Sequence, residues 1–404
     1  MNIHEYQAKI ILSKNGIKIP KGKVAYTANE AKKVAKELSN KGPWMLKAQI
    51  QSGSRQHGRF IEARGGNKGG IRLVKKIDDL VFETDSMLGS TLVTNQTGPK
   101  GKFVSRVYVE PYLRVGHTFY VGMAIDRVAA KVVLLVANTK DDDIGTLVAS
   151  NPDKIFRLPL NLKNGPTRAE LEKVAEFLKL ALKSRASFHQ FVRSMYKSFM
   201  ENDALMIEIN PAAIMKNNDD VVALDAKMVL DDNALYRHPE HKNLKDDYEA
   251  DARELRASRY GFAYQEFDGN IGCIVNGDGL ALALMDLLED KNNKVACTLN
   301  VKGGVDRDQI ANGIKTIVTS PKVEGIIINI VGGFVRCDLI ADGIIDAAAE
   351  VGMNLPVVVR LEGTNRLEAE NILGRAKLPV VIAEDMEDAV NRIIKAVESN
   401  ECRF

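Results

Sequence analysis

Several things are scarce in this 404-residue chain, and each scarcity removes a class. The four cysteines, Cys273, Cys297, Cys337 and Cys402, are widely spaced and never form C-x-x-C. That excludes a disulfide framework and a cysteine-built zinc site, and it fits reduced thiols in a cytoplasmic setting. No run approaches the roughly eighteen consecutive apolar residues of a membrane helix, so no membrane partner is expected. The opening MNIHEYQAKI lacks a basic stretch followed by an apolar one, and no secretory signal is read there. Only one Trp and few other aromatics accompany the basic residues, which argues against nucleic acid as the ligand. Histidine stops early: the six are His4, His57, His117, His189, His238 and His241.

What is present is ordinary for a globular chain. Hydrophobic residues make up 45% and charged residues 27%, so wholesale disorder is excluded. The length calls for two or three domains. The net charge of +3 conceals a block: residues 1–76 hold seventeen Lys/Arg against four acids, Glu5, Glu30, Glu37 and Glu62. Such a block either attracts an anion, with nucleotide phosphates in first place, or is simply a set of solvated faces.

The pattern divides the chain. Residues 1–236 mix strand and helix signals and predict an α+β domain. Thr27-Ala28-Asn29-Glu30 has capping-box form ahead of AKKVAKEL. Residues 44–50 alternate as a strand, with Met45, Lys47 and Gln49 on one face. Segments 103–113, 118–126 and 129–138 read as strands, 168–201 as one or two helices, and 204–215 and 219–230 as strands. Residues 237–268 are dense in charge and are expected to form a linker. From 269 to 404 five apolar runs, IGCIVNG, VACTLNV, EGIIINIV, LPVVVRL and LPVVIAE, alternate with helical patterns. Runs buried on both faces predict an α/β domain with a doubly wound parallel sheet of flavodoxin-like form.

Three constellations could carry chemistry. The C-terminal strand tips are rich in Gly and Asn: Asn276-Gly277, Gly303-Gly304, Gly332-Gly333 and Gly363. Open α/β sheets bind ligands at such carboxyl ends. Gly332-Gly333 would let backbone amides approach an anion just before a helix from Cys337, although tight βα turns need Gly in any case. None of the tips matches G-x-G-x-x-G or the P-loop. A hairpin turning at Asn217-Asn218 would oppose Asn210 to Asp225 and Glu208 to Lys227, all on one side of the ribbon. An amide oxygen and a carboxylate on Cβ atoms roughly 5 Å apart suit one Mg²⁺, or are scattered polar residues of a surface strand. Finally, Lys47 precedes the glycine-containing loop Gln51-Ser52-Gly53-Ser54-Arg55 and then Gly65-Gly66 and Gly69-Gly70. A strand lysine beside such a loop can clamp nucleotide phosphates, or can be a solvated edge lysine.

On MNIHEYQAK, MIEINP (206–211), ALDAK (223–227), DDNALYR (231–237), DGNIGCIVNGDGLA (268–281) and GGFVRCDLIADGI (332–344), the chain resembles the succinate–CoA ligase (succinyl-CoA synthetase) beta subunits over essentially its whole length. The resemblance implies an N-terminal ATP-grasp domain, a C-terminal flavodoxin-like domain, and a cytoplasmic enzyme working beside an alpha subunit in the tricarboxylic acid cycle. The alpha subunit would supply the CoA site and a transiently phosphorylated histidine, consistent with the lack of any histidine after residue 241 here. Mg²⁺, ATP/ADP (or GTP) and succinate would be the small ligands. By resemblance, Lys47, Gly53 and Arg55 would serve the nucleotide phosphates and Glu110 the base-binding hinge. Asn210 and Asp225 would hold Mg²⁺, and Glu208 would be the acidic residue facing the phosphohistidine. Asn276, Gly333, Phe334 and Val335 would bind the carboxylate substrate, with Phe334 in place of the usual Ile.

Other departures fall on proposed sites. The family's H-A-G-G-R-G-K reads Gln51-Ser52-Gly53-Ser54-Arg55-Gln56-His57, an acidic position is Thr118, and L-D-V-G-G-G-A reads Leu299-Asn300-Val301-Lys302-Gly303-Gly304-Val305. They leave two rivals standing: a malate–CoA ligase large subunit, and a weakly active subunit that chiefly scaffolds an alpha chain.

Overall fold

Alternating apolar and polar residues in the first half build three sheets. The computed structural model describes residues 1–399 other than 40, 139–146, 148–150, 247, 250, 334 and 353. The chain falls into two compact units, Met1–Glu249 and Ala250–Phe404.

The first unit runs β1 (Asn2–Ile3), α1 (Glu5–Lys14), β2 (Lys23–Ala25), α2 (Ala28–Leu38), β3 (Trp44–Ala48), β4 (Arg59–Phe60), β5 (Ile71–Val74) and α3 (Ile77–Met87). There follow β6 (Thr91–Val93), β7 (Lys102–Phe103), β8 (Val107–Pro111), β9 (Val115–Asp126), β10 (Lys131–Ala137) and β11 (Ile155–Pro159). The unit ends with α4 (Arg168–Phe177), α5 (Leu182–Glu201), β12 (Ala204–Met215), β13 (Val221–Ala223) and β14 (Lys227–Leu230). A four-stranded sheet has the order β2-β8-β3-β5, a three-stranded one β4-β6-β7, and a seven-stranded one β1-β14-β12-β9-β10-β11 with β13 also on β12.

Local chemistry explains the starts and stops. Thr27 Oγ1 accepts the Glu30 N–H at 3.1 Å and caps α2, while the Glu30 carboxylate takes the N–H of Tyr26, one residue before the cap. On β3, Trp44, Leu46 and Ala48 enter a core with α2 and α3. Met45 and Lys47 are thereby left on the opposite face, as period-2 alternation requires. The strand stops at Ala48, short of the expected Ile50.

The hairpin keeps its expected register by another turn. Met215 N–H bonds Asp220 O at 2.8 Å, so four residues turn instead of two, with Asp219 in the left-handed region at φ 60°. Both turns centre between Asn217 and Asn218, which is why Ala212 still pairs with Ala223 and Glu208 with Lys227. Regular pairing lapses between them, at Asn210-Pro211 and Leu224-Asp225-Ala226. Proline has no N–H to give a ladder.

The second unit consists of α6 (Ala252–Arg259), β15 (Ala263–Glu266), β16 (Ile271–Val275), α7 (Asp278–Glu289), β17 (Val295–Asn300), α8 (Arg307–Val318) and β18 (Gly325–Gly332), then α9 (Cys337–Val351), β19 (Val357–Gly363), α10 (Arg366–Arg375), β20 (Val380–Ile382) and α11 (Met386–Glu398). Strand order is β15-β17-β16-β18-β19-β20, with β16 to β20 parallel and β15 antiparallel at the edge. Ile326, Ile328, Val357 and Val359 pack on one face with α8, α9 and α10. Ile271, Cys273, Val275, Ile327 and Val358 pack on the other with α7 and α11. Burial on both faces is what the continuous apolar runs demand, and the expected α/β architecture is present.

The stretch 237–268 is divided between the units. His241 and Asp246 are buried in the first, and α6 and β15 belong to the second. High charge density there reflects internal ion pairs, Arg106–Asp246 at 2.8 Å and Arg253–Glu266 at 2.8 Å, as well as solvent exposure.

Candidate functional site

A cavity of about 290 Å³ opens in the first unit, between the four-stranded and seven-stranded sheets. Lys47, Gly53, Arg55, Glu110, Glu208, Asn210 and Asp225 all line it. Seven positions spread over 179 residues of sequence thus meet at one place, β3 and β8 supplying one wall, β12 and the β13–β14 break the other.

Three cations and three carboxylates interlock at its base. Lys47 Nζ lies 2.8 Å from Glu5 Oε1, 2.7 Å from Glu110 Oε1 and 2.6 Å from Leu224 O. Lys9 Nζ reaches the same two residues, Glu5 at 2.8 Å and Glu110 at 2.7 Å, and sits over the Tyr108 ring. Arg55 donates to Glu5 Oε2, to both Asp225 oxygens at 2.7 Å, and to Ala48 O at 2.8 Å. Part of the N-terminal basic block is therefore internal: Lys9, Lys47, Arg55 and Arg72 are all buried in ion pairs.

Electrostatics follow from this crowding. Burial opposes the charged form of Glu5, yet Lys47, Lys9 and Arg55 hold its carboxyl well below the usual carboxylate range. Burial likewise opposes the Lys47 ammonium, and Glu110, Glu5 and Asp225 overcome it, so the amine stays protonated far above its ordinary range. Asp225 goes the other way: burial raises it, Glu5 adds repulsion, and Arg55 and Lys47 compensate only in part.

The loop from Gln51 to His57 is fastened at both ends. Both oxygens of Glu249 accept the Gln51 N–H, at 2.9 and 3.0 Å. A side chain at Gly69 would place Cβ 1.9 Å from Gln56 O, so glycine is required there by the loop's own backbone. Ser54 stands where the family has glycine, and its φ of 57° is left-handed. Serine thus occupies a backbone region that glycine enters without a steric cost. Replacing Ser54 with glycine should relieve about 1 kcal/mol of strain, largely offset by a freer unfolded chain. Calorimetry with ADP and Mg²⁺ on the Ser54→Gly variant should accordingly give an affinity within about threefold of the parent chain's. A larger gain would mean that serine distorts the loop.

Burial pushes the Glu249 carboxyl up to about 7, against the opposing Gln51 N–H bonds and the nearby Lys102 charge. In the unfolded chain it titrates near the ordinary 4.5, so between those values the native state holds a proton the unfolded state has lost. Stability must then fall as pH rises through this window. Glu249→Gln should flatten that slope and be the more stable protein at pH 8, which urea melts at pH 5 and pH 8 would detect. A variant with the parent's full slope would contradict the assignment.

In the second unit Asn276 ties two strand tips together, its amide donating to Val331 O at 2.7 Å and accepting the Val331 N–H at 2.8 Å. Asn300 Oδ1 accepts the Gly277 N–H at 2.9 Å. Gly332 has a packing reason: a Cβ there would meet Val335 O at 2.3 Å, whereas one at Gly333 would meet open space. The first N–H of α9, from Cys337, already bonds Thr364 O, which reduces its appeal to an anion. Val335 is buried, and Phe334 lies outside the described residues. Thr118 sits on β9 opposite Ala213 and does not line the cavity.

Comparison with known proteins then decides the family. A family profile for the ATP-grasp domain matches residues 2–214, and one for CoA-ligase matches residues 274–394. The succinate–CoA ligase [ADP-forming] subunit beta of Rhodospirillum rubrum is 42% identical over 399 residues, 98% of this chain and 99% of its own. That of Paramagnetospirillum magneticum is 41% identical with the same coverage. The chain belongs to the succinate–CoA ligase beta-subunit family. ATP citrate lyase from Methanothrix soehngenii, solved with citrate and coenzyme A, shares the fold with a TM-score of 0.69 at 15% identity, covering 98% of this chain and 99% of its own. The expected order, ATP-grasp domain first and CoA-ligase domain second, holds.

Sequence reasoning missed Glu5, Lys9 and Glu249. An i,i+4 Glu–Lys pair on a first helix reads as a solvated surface pair; here both members are buried. One signal was available: Glu5 is the sole acid among the first 29 residues, in a strongly basic block.

Proposed function

We propose that this chain is the nucleotide-handling subunit of an ADP-forming succinate–CoA ligase. With an alpha subunit it would interconvert succinyl-CoA, ADP and phosphate with succinate, CoA and ATP, through a phosphohistidine on alpha. The observation that carries the reading is the convergence of Lys47, Arg55, Glu208, Asn210 and Asp225 on one cavity in an ATP-grasp chain.

Catalysis of phosphoryl transfer is positioning plus charge neutralisation. Lys47 and Arg55 are the cations that would take phosphate oxygens, exchanging Asp225 and part of Glu5 for the nucleotide. Because the Glu5 and Glu110 carboxylates, each also paired with Lys9, hold Lys47, its ammonium is aimed before any ligand arrives. The Glu110 carboxylate is spent on that task and leaves only its backbone for the base. Asn210 and Asp225 offer the hard oxygen donors that Mg²⁺ prefers, and Arg55 can surrender Asp225 once phosphates engage the guanidinium. When bound, the ion supplies neutralisation of phosphate charge. Glu208, on the strand carrying Asn210, would receive an N–H from the alpha subunit's imidazole. Asn276, Gly333, Phe334 and Val335 of the second unit are proposed for the carboxylate substrate.

The decisive experiment mixes the chain with an alpha subunit and radiolabelled ATP and Mg²⁺. Acid-labile label should appear on alpha and discharge with succinate and CoA. Label retained stably on this chain alone would refute the division of labour, and discharge by malate in preference to succinate would refute the substrate.

A further inference from the structure

Far along the chain from the nucleotide cavity residues of β3 and β8, a short 3₁₀ helix, Pro239–Leu244, follows His238. His238 Nδ1 lies 3.5 Å and His241 Nε2 3.7 Å from the same oxygen, Glu240 Oε1. The two imidazoles stack with centroids 4.8 Å apart and planes 19° from parallel. Behind His238, its Nε2 meets Asp203 Oδ2 at 2.7 Å, while Arg237 takes the other Asp203 oxygen at 2.9 Å. His241 is 4% exposed, and among the described residues its Nδ1 has no hydrogen-bond partner.

We propose that His238, Glu240 and His241 form a binding site for a late first-row transition-metal dication, zinc foremost, with Asp203 as the support that orients His238.

The donor set selects the ion class. Two imidazoles and one carboxylate suit Zn²⁺, Ni²⁺ or Cu²⁺, whereas Mg²⁺ and Ca²⁺ prefer oxygen throughout. Ligands of a tetrahedral zinc, on bonds of about 2.0–2.2 Å, stand about 3.3–3.5 Å apart. The N···O separations of 3.5 and 3.7 Å need to contract by only tenths of an ångström. They are also longer than the roughly 2.7–3.2 Å of a good N–H···O bond. The Asp203 carboxylate accepts from Nε2, which fixes the proton there and turns the Nδ1 lone pair toward Glu240. A carboxylate behind a ligating histidine is the usual support in zinc sites. Glu240 is 63% exposed, which gives an ion a way in and leaves the fourth position to water. Lys14 and Arg237 are the cations that oppose the ion, and Arg237 is held on the far oxygen of Asp203.

A second trio, His4, Asp246 and Glu249, also lies close together, but its donors are spent, His4 Nε2 already bonding Asp246 at 2.6 Å. Arg106 binds Asp246 at 2.8 Å, and Glu249 holds the Gln51 N–H. It serves as the internal control.

The test titrates Zn²⁺ into the full chain, stripped by chelator, in excess Mg²⁺, with Co²⁺ visible absorption as a second readout. One Zn²⁺ per chain should bind, with a Co²⁺ spectrum of low-coordinate N/O type. His241→Ala and Glu240→Gln should each weaken binding at least tenfold, and Asp203→Asn about tenfold. Zn²⁺ should raise the melting temperature of the parent but not of Glu240→Gln, whose exposed position leaves folding intact. His4→Ala should bind as the parent does. The proposal is overturned if the parent binds no Zn²⁺, if the His238→Ala/His241→Ala pair binds it unchanged, or if His4→Ala is the variant that loses it.

Discussion

Asp225→Ala is expected to slow nucleotide-dependent phosphorylation of an alpha chain by about a thousandfold while the chain still folds. The fold survives because Arg55, the partner of Asp225, keeps Glu5 Oε2 at 2.7 Å and Ala48 O at 2.8 Å. Asp225 itself is an uneasy member of the group, raised by burial and by Glu5, so its removal costs less stability than removal of Glu5. What is lost is one of two proposed metal donors on the cavity wall. A further consequence separates this role from simple loss of charge. Without Asp225 the buried group carries three cations against two carboxylates, so ADP alone should bind at least as tightly as in the parent. The dependence of that binding on Mg²⁺ should disappear. Calorimetry with and without Mg²⁺, beside the phosphorylation rate, reads both effects; an unchanged Mg²⁺ dependence would remove Asp225 from the metal site.

Glu5→Gln should destabilise the first unit by about 3–5 kcal/mol, the expected loss when one member of a buried ion group is neutralised. Glu5 touches Lys9, Lys47 and Arg55 at 2.7–2.8 Å. A glutamine keeps the volume but leaves one buried positive charge without a counter-charge. The pH dependence has a defined sign. Since the folded carboxyl is held well below its ordinary 4.5, its contribution is fully present above that value. It is lost as pH falls through the depressed folded value. Denaturant melts should thus show the variant markedly weaker than the parent at pH 7, with the gap closing in acid. A gap that persists unchanged at the lowest accessible pH would mean that Glu5 acts through packing. Nucleotide affinity should fall as well, because Lys47 loses one of the two carboxylates that aim it.

Much of this protein is written locally. Five apolar runs between helical patterns determined the second unit's sheet, because strands covered on both faces have no polar side to show. The Thr27 cap, the helical character of 168–201 and the register of the 204–230 hairpin were legible for the same reason: each depends on residues a few positions apart. The hairpin even tolerated an incorrect turn, since a four-residue turn about the same centre leaves Glu208 opposite Lys227. The edge strand Ala263–Glu266 was not legible, being short and set among charges that pair internally.

The site divides along the same line. Lys47, Gly53, Arg55, Glu110, Glu208, Asn210 and Asp225 were chosen from residue type, spacing and resemblance, and they line one cavity. The sequence could not say that Glu5 and Lys9 lie beneath them, or that Glu249 ties down the loop from 198 residues away. Nor could it say that His238 and His241 converge on one Glu240 oxygen, with Asp203 behind His238. Periodicity and capping are energies of neighbours in sequence, fixed by bond geometry within a few residues. Burial of a charge, and the partner that makes it tolerable, depend on which segments meet in space, and that only the tertiary structure decided.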